Sequence, residues 1–224
     1  MTKPLPPQLS FLFENKTFYS IYDIVIGYFN KPLIDLLFKQ SNWLSNVVFI
    51  YGQHSLGKTF ISEIFIQHNN GITIDIHSLD IIELDKLTTQ YSSFLIDNLS
   101  ILDSQSQTKL FHLYNLVVAK KKKLLLNSIY SINELNIQLQ DLKSRLLASN
   151  IFYLKDPDEE TLKAIFFKML SDKQLLLNKE VITYIFHRIP RNIQSIIDIA
   201  IKIEDFTMNE KKTITIKNIH KILD

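Results

Sequence analysis

Asn46-Val47-Val48-Phe49-Ile50-Tyr51-Gly52-Gln53-His54-Ser55-Leu56-Gly57-Lys58-Thr59 decides how the rest of the chain is read. A short apolar, β-branched run ends at Gly52, and a loop with glycine at both ends follows. Lys58 and Thr59 then open a segment whose Phe60, Ile61, Ile64 and Phe65 recur at helical spacing. This is strand, loop, helix, with G-x-x-x-x-G-K-[ST] at the join. Successive loop N–H groups must turn inward to surround phosphate oxygens, which needs backbone angles that glycine tolerates. The helix N-terminus adds unpaired donors and a partial positive charge. The spacing therefore makes Gly52, Gln53, His54, Ser55, Leu56, Gly57, Lys58, Thr59 and Phe60 a cradle for a nucleotide's phosphates. Lys58 would reach the β- and γ-phosphates, and the Thr59 hydroxyl would bind Mg²⁺. The chain has only 4 glycines, and two stand in this motif.

Working outward, 224 residues accommodate one large domain or two modest ones. At 46 % hydrophobic and 21 % charged, the chain buries a core and is not disordered. A net charge of +2 is too small to imply nucleic-acid binding by itself. With no cysteine, disulfides and Cys zinc sites are excluded, which fits a cytoplasmic protein. No apolar run approaches the ~20 residues of a membrane span, and Met-Thr-Lys-Pro-Leu-Pro-Pro lacks the apolar core of a signal peptide.

Residues 1–16 read as an extended arm, because Pro4, Pro6 and Pro7 oppose helix. Gln8-Leu9-Ser10-Phe11-Leu12-Phe13 follows at once, either folded back on its own domain or docked in a partner's groove. Residues 18–45 hold Ile24-Val25-Ile26-Gly27-Tyr28-Phe29-Asn30 and then a helical pattern through Leu33, Leu36, Leu37 and Phe38, placed where an apolar cleft for a base is useful. Residues 72–76 read as a second strand, 79–90 as a helix and 93–98 as a third strand, apolar throughout until it ends in Asp97. An acid at that point in a phosphate-loop protein binds Mg²⁺ directly or through water. Its neighbour is Asn98, and an amide cannot act as the base that activates water.

A helix over 105–119 ends in Lys120-Lys121-Lys122-Lys123, read as a solvated run complementing the helix dipole rather than as a DNA contact. Leu124 to Ser128 is the fourth strand, with Asn127 placed to face the γ-phosphate side. A helix over 137–147 carries Arg145, whose planar fork suits phosphate, and residues 151–154 are a fifth strand. Asp156, Pro157 and Glu159 read as N-cap, N1 and N3 of a helix through Leu162, Ile165, Phe166, Met169 and Leu170. Helices at about 179–188 and 191–206 flank Pro190, and Thr215 caps a last one to Leu223. The reading is α/β: an AAA+ phosphate-loop module with a five-stranded parallel sheet over 17–155, then a small all-helical lid over 156–224.

With these residues in hand, the chain resembles the DnaA family of AAA+ proteins, and within it the Hda-type homologues that carry out regulatory inactivation of DnaA. Gln8 to Phe13 is similar to the family's sliding-clamp-binding hexapeptide. Ile24, Val25, Ile26, Gly27 and Asn30 resemble the stretch that packs near adenine. Ile96-Asp97-Asn98 matches the Ile-Asp-Asn of the Hda type. Leu139 to Leu146 looks like the box that carries an arginine finger, which implies Arg145 in that role. Ile189-Pro190-Arg191-Asn192-Ile193-Gln194 falls on the sensor II segment. The chain ends where DnaA continues into its DNA-reading domain, which argues against an initiator that reads origin boxes.

There are departures. The sensor II arginine is Gln194, with Arg191 as a partial substitute, and Ile129-Tyr130-Ser131-Ile132 stands where the family has Asp-Arg-Pro-Pro. The resemblance implies a bacterial regulator that holds ADP or ATP with Mg²⁺, with weak hydrolysis of its own. It would bind the DNA polymerase III β sliding clamp through residues 8–13 and present Arg145 in trans to DnaA-bound ATP. Expected partners are DnaA, the clamp and a homodimer or head-to-tail AAA+ oligomer, with no membrane and only weak or indirect DNA contact. The alternatives are a self-standing AAA+ ATPase that loads or remodels a DNA-bound replication partner, and a module that only tethers to the clamp.

Overall fold

A computed structural model describes residues 19–40, 43–77, 81–100, 102–210 and 214–223. The arm and the Gln8–Phe13 hexapeptide lie outside the described residues. The β-branched, apolar runs become five parallel strands: β1 (Val47–Tyr51), β2 (Gly71–Thr73), β3 (Ser93–Leu99), β4 (Lys123–Ser128) and β5 (Asn150–Tyr153). Their order across the sheet is β2-β3-β4-β1-β5, every neighbouring pair parallel. The interior strand β1, between β4 and β5, is buried on both faces, which is why Val47, Val48, Phe49 and Ile50 are apolar without alternation.

Two cores flank the sheet. Val47, Phe49, Phe94, Ile96, Leu124 and Leu126 pack on one side with Leu84 of α3 (Ile81–Gln90), Leu110, Leu113 and Val117 of α4 (Ser104–Ala119) and Leu142 and Leu146 of α5 (Gln140–Leu147). Val48, Ile50, Leu95 and Leu125 pack on the other with Ile61, Ile64 and Phe65 of α2 (Lys58–His68). That second core continues into the helices after β5: α6 (Glu159–Asp172), α7 (Lys179–Phe186), α8 (Ile193–Glu210) and α9 (Ile216–Leu223). Leu162, Phe166 and Leu170 on α6 meet Ile193, Ile196 and Ile203 on α8 in this core. The α/β layer and the helical lid therefore share buried surface along the face that carries α2.

Several boundaries differ from the sequence reading. The second strand is hydrogen-bonded as a ladder only over Gly71–Thr73, although Ile74 still donates its N–H to the Leu95 carbonyl at 2.7 Å. Asp158, not Asp156, caps α6, accepting from the Thr161 N–H at 2.7 Å, so the helix starts two residues after Pro157. Leu33 to Phe38 is helical, but α1 (Lys31–Ile34) widens into a π-helical turn over Asp35–Lys39. The lysine run is not uniformly solvated. Lys120 pairs with Asp85 at 2.8 Å, while Lys123 enters β4 with its ammonium 4.1 Å from the Trp43 ring centre. Burial pushes the Lys123 pKa down.

Candidate functional site

The loop after β1 is fixed by its glycines. Gly52 has φ +150°, and a Cβ there would meet the Leu154 carbonyl at 2.4 Å, because β5 passes against the strand end. Gly57 has φ +80° and stands as the left-handed residue that opens α2. Between them Ser55 also takes a positive φ of 61°. The result is a tight turn whose last residues lead straight into a helix N-terminus.

Lys58 is 8 % exposed, and its ammonium donates to the Gly52 and Gln53 carbonyls at 2.7 and 2.6 Å. Burial lowers its pKa, and the charge of Asp97 partly opposes that shift. At the foot of the loop the Thr59 hydroxyl donates to Asp97, 3.1 Å from Oδ1 and 2.9 Å from Oδ2. Asn127 donates from Nδ2 to Asp97 Oδ1 at 2.7 Å and accepts from the Ser62 hydroxyl at 3.0 Å. Asn98 also donates to Asp97, at 3.2 Å, from a backbone with φ +55°. Three chain-distant elements, α2, β3 and β4, thus converge on one carboxylate. Glu63, one helical turn beyond Thr59, has its pKa raised first by burial and then by the Asp97 charge.

Beside the loop lies a cavity of about 590 Å³, walled by the segment before β1, by the start of α2 and by α6 and α8 of the lid. Ile24, Val25, Asn30, Ser55, Leu56, Gly57 and Phe60 line it. Asn30 is 2 % exposed and braces the segment: its Oδ1 accepts from the Gly27 N–H and its Nδ2 donates to the Val25 carbonyl, each at 2.9 Å. Its role is to shape the wall. Ile26 is not in this cavity; it is 48 % exposed and faces a separate hollow with Tyr28 and Lys31.

Gln194, at the start of α8, receives the Ser55 hydroxyl on Oε1 and donates from Nε2 to Asp198 at 2.7 Å. The lid is therefore tied to the loop by an uncharged amide. Arg191, expected as a partial substitute for a sensor arginine, is engaged elsewhere in this structure. It pairs with Glu159 at 2.8 Å and does not line the cavity. Arg145 stands apart as well, on the exposed side of α5. Its guanidinium donates to Asn115 Oδ1 and lies 4.9 Å from the Phe111 ring centre and 5.7 Å from that of Tyr114. It is a braced cation facing away from the chain's own cavity.

Sequence reasoning missed part of the lining. Tyr19, Asp23, Lys168, Asp172, Ile193 and Ile197 all face the cavity. The signal was present on α6. Ile165, Lys168, Met169 and Asp172 recur at i, i+3, i+4 and i+7, a second face next to the buried Leu162-Phe166-Leu170 stripe.

The donors fit the groups the motif implies. The glycine-flanked turn leaves backbone room for phosphate, Lys58 supplies the cation, and the Thr59 hydroxyl with the Asp97 carboxylate is an oxygen donor set suited to Mg²⁺. Among the described residues no group of three or more His, Cys, Asp or Glu side chains is arranged for a metal, so such an ion would rely on phosphate oxygens as well. Among the described residues no helix is long and apolar enough to cross a membrane.

No protein-family model matches the chain. By sequence it is 25 % identical over 229 aligned positions to the chromosomal replication initiator protein DnaA of Buchnera aphidicola subsp. Cinara cedri, across 92 % of this chain and 52 % of that protein. It is 26 % identical over 207 positions to an uncharacterised protein of Haemophilus influenzae, across 87 % of this chain and 89 % of the other. The chain spans about half the length of the DnaA relatives it matches. Domain III of the Thermotoga maritima replication initiation protein DnaA superposes with a TM-score of 0.79 at 22 % identity, covering 99 % of this chain and 98 % of that one. AMPPCP-bound DnaA from Aquifex aeolicus gives 0.70 at 20 % identity over 86 % of this chain and 65 % of that one. This five-stranded sheet with its helical lid is the AAA+ fold of DnaA domain III, and DnaA proteins are homologues of the chain.

Proposed function

We propose that this chain is a nucleotide-binding regulator of replication initiation, of the Hda type, that holds ADP or ATP with Mg²⁺ and acts on DnaA. The carrying observation is a division of labour. A glycine-flanked loop that fits a phosphate cradle (Gly52 to Thr59, with Asp97 and Asn127 at its foot) lies on one side, and Arg145 stands braced on the surface away from it. In this reading the loop amides and Lys58 bind phosphate oxygens. Thr59 and Asp97 hold the ion, which supplies charge neutralisation when bound. Asn127 fixes the Asp97 carboxylate. Asn98 cannot accept a proton from water, and Gln194 brings no charge to the γ-phosphate, so turnover by the chain itself is slow.

Arg145 is the residue offered to a neighbour. Its guanidinium would meet the phosphates of DnaA-bound ATP and stabilise charge as it develops, a contribution of roughly 10³–10⁵ in rate in GTPase systems. Residues 8–13 would dock on the DNA polymerase III β sliding clamp and place the finger near DNA-bound DnaA. A head-to-tail arrangement follows, because a finger on one edge and a cradle elsewhere make a heterologous contact. Support comes from the DnaA homologues, from the fold, and from a fold neighbour described as AMPPCP-bound.

The deciding experiment measures ATP hydrolysis by DnaA with and without this protein and clamp-loaded DNA. Stimulation by wild type, lost in Arg145→Ala with nucleotide binding intact, is the expected result. No stimulation by wild type removes the reading. Brisk hydrolysis by the protein alone, lost in Lys58→Ala, favours a self-standing ATPase instead.

A further inference from the structure

The phosphate cradle leaves one wall of the cavity unexplained. Its polar side chains among the described residues include Asn30 and Ser55, and both are committed: Asn30 to its own segment and Ser55 to Gln194. Tyr19 sits edge-on to Phe60, with ring centres 4.9 Å apart. What remains is Asp23, Lys168 and Asp172. The Lys168 ammonium bridges the two carboxylates, 3.0 Å from Asp23 Oδ1 and 2.5 Å from Asp172 Oδ1. Asp23 Oδ2 is already taken by the Ser20 N–H at 2.7 Å. Asp172 is half exposed, and among the described residues nothing donates to its Oδ2.

Two carboxylates around one ammonium leave this wall with a net negative charge. It repels phosphate and favours a hydrogen-bond donor. Its setting narrows the donor further. Ile165 and Met169 lie on the same face of α6 as Lys168 and Asp172, and Ile24 follows Asp23 on the opposite wall. Apolar surfaces beside an acceptor match a flat heteroaromatic ring that carries an exocyclic amine.

Resting on the reading of this cavity as a nucleotide site, we propose that Asp172 accepts a hydrogen bond from the exocyclic amino group of the bound base, so that the site selects adenine over a 6-oxo purine. Lys168 is the positioning residue, holding Asp172 against Asp23. A 6-oxo purine would instead turn an acceptor oxygen toward the carboxylate and carry its proton one position away on N1, so the hydrogen bond at the 6-position is lost.

The test is calorimetric titration of the full chain with ADP, IDP and 2′-deoxy-ADP. IDP replaces the 6-amino group of ADP with an oxo group and carries a proton on N1. Wild type is expected to bind ADP about 10- to 100-fold tighter than IDP, the worth of one hydrogen bond to a charged group, and 2′-deoxy-ADP like ADP. In Asp172→Asn, whose amide both donates and accepts, the ADP/IDP ratio should shrink to within about threefold. Far-UV circular dichroism checks the fold, and Asp172→Ala, at a half-exposed helical position, provides a second variant. Equal wild-type affinity for ADP and IDP overturns the proposal, as does a ratio unchanged in both variants. A penalty on 2′-deoxy-ADP that Asp172→Asn removes would assign the carboxylate to the ribose and overturn it too. If no nucleotide binds wild type at all, it is the nucleotide-site reading that fails.

Discussion

Asn127→Ala tests whether the Asp97 cluster is a joined unit. Asn127 is 1 % exposed and Ser62 is fully buried, so no water replaces the amide at the Ser62 hydroxyl, while Asp97 is half-buried and keeps Thr59 as a donor. The lost bond to the carboxylate, 2.7 Å long, is worth about 1.5–3 kcal/mol, and the 3.0 Å bond from Ser62 about 0.5–1.5 kcal/mol. The expected cost is therefore about 2–3 kcal/mol, the lower part of that sum because water reaches the half-buried Asp97, in urea denaturation read from the midpoint with m unchanged. The single variant alone does not separate the bonds from the lost packing, so the decisive form is a double-mutant cycle with Ser62→Ala. Removing Ser62 when Asn127 is already absent deletes an orphaned hydroxyl and costs little. The two changes should therefore be less than additive by about 0.5–1.5 kcal/mol. Strict additivity, or a cost for Asn127→Ala below about 1 kcal/mol, would refute the argument that these side chains hold Asp97 in place.

The other expectations concern backbone, charge and cap. Gly52→Ala meets the Leu154 carbonyl at 2.4 Å on a φ of +150° and should lower the melting temperature sharply. Gly57→Ala, with nothing within 4 Å, should cost only about 1 kcal/mol of left-handed strain. Equal losses at the two sites would contradict this. Glu63→Gln should stabilise the protein at pH 7. Burial and the Asp97 charge raise the Glu63 pKa, so the folded state prefers the protonated form. That preference is met below the unfolded value of about 4.3 and lost as pH rises through the folded value. The gain should vanish by pH 4; a gain that persists there would rule out a charge origin. Asp158→Ala removes the cap on Thr161 N–H at 2.7 Å and should cost about 1 kcal/mol by denaturation.

What the sequence made legible was what local chemistry demands. Gly52, Gly57, Lys58 and Thr59 announce their geometry because few residue types can occupy such a turn, and a doubly buried strand such as β3 must be apolar until it reaches Asp97. Asn127 was legible from its place at the end of a strand. Its partner Ser62 was not, because a serine inside a helix usually marks nothing. The start of α6 was misplaced because Asp156 and Asp158 both offer a cap, and only tertiary packing selects the second. Arg191 looked available on the segment before α8, yet Glu159 at the start of α6 lies within 2.8 Å of it, a contact between a turn and a distant helix that no local pattern encodes. The polar wall was hidden for the same reason: Asp23 and Lys168 are 145 positions apart.

These long-range contacts also explain how the cavity depends on both layers. One wall comes from the segment before β1, held by Asn30, and the other from α6 and α8 of the lid. Among the described residues two polar links join the lid to the layer beneath it at the cavity: Lys168 with Asp23, and Gln194 with Ser55. Gly27 sets how closely the walls approach, since a Cβ there would meet the Thr161 hydroxyl at 2.5 Å. A nucleotide bound between them touches both layers at once, so its binding free energy adds directly to whatever holds the lid on the sheet. Arg145, on α5 against the other face of the sheet, takes no part in that closure. If the cavity binds nucleotide and Arg145 acts in trans as proposed, ligand occupancy and finger presentation lie on opposite sides of one β-sheet, and coupling between them would pass through its strands.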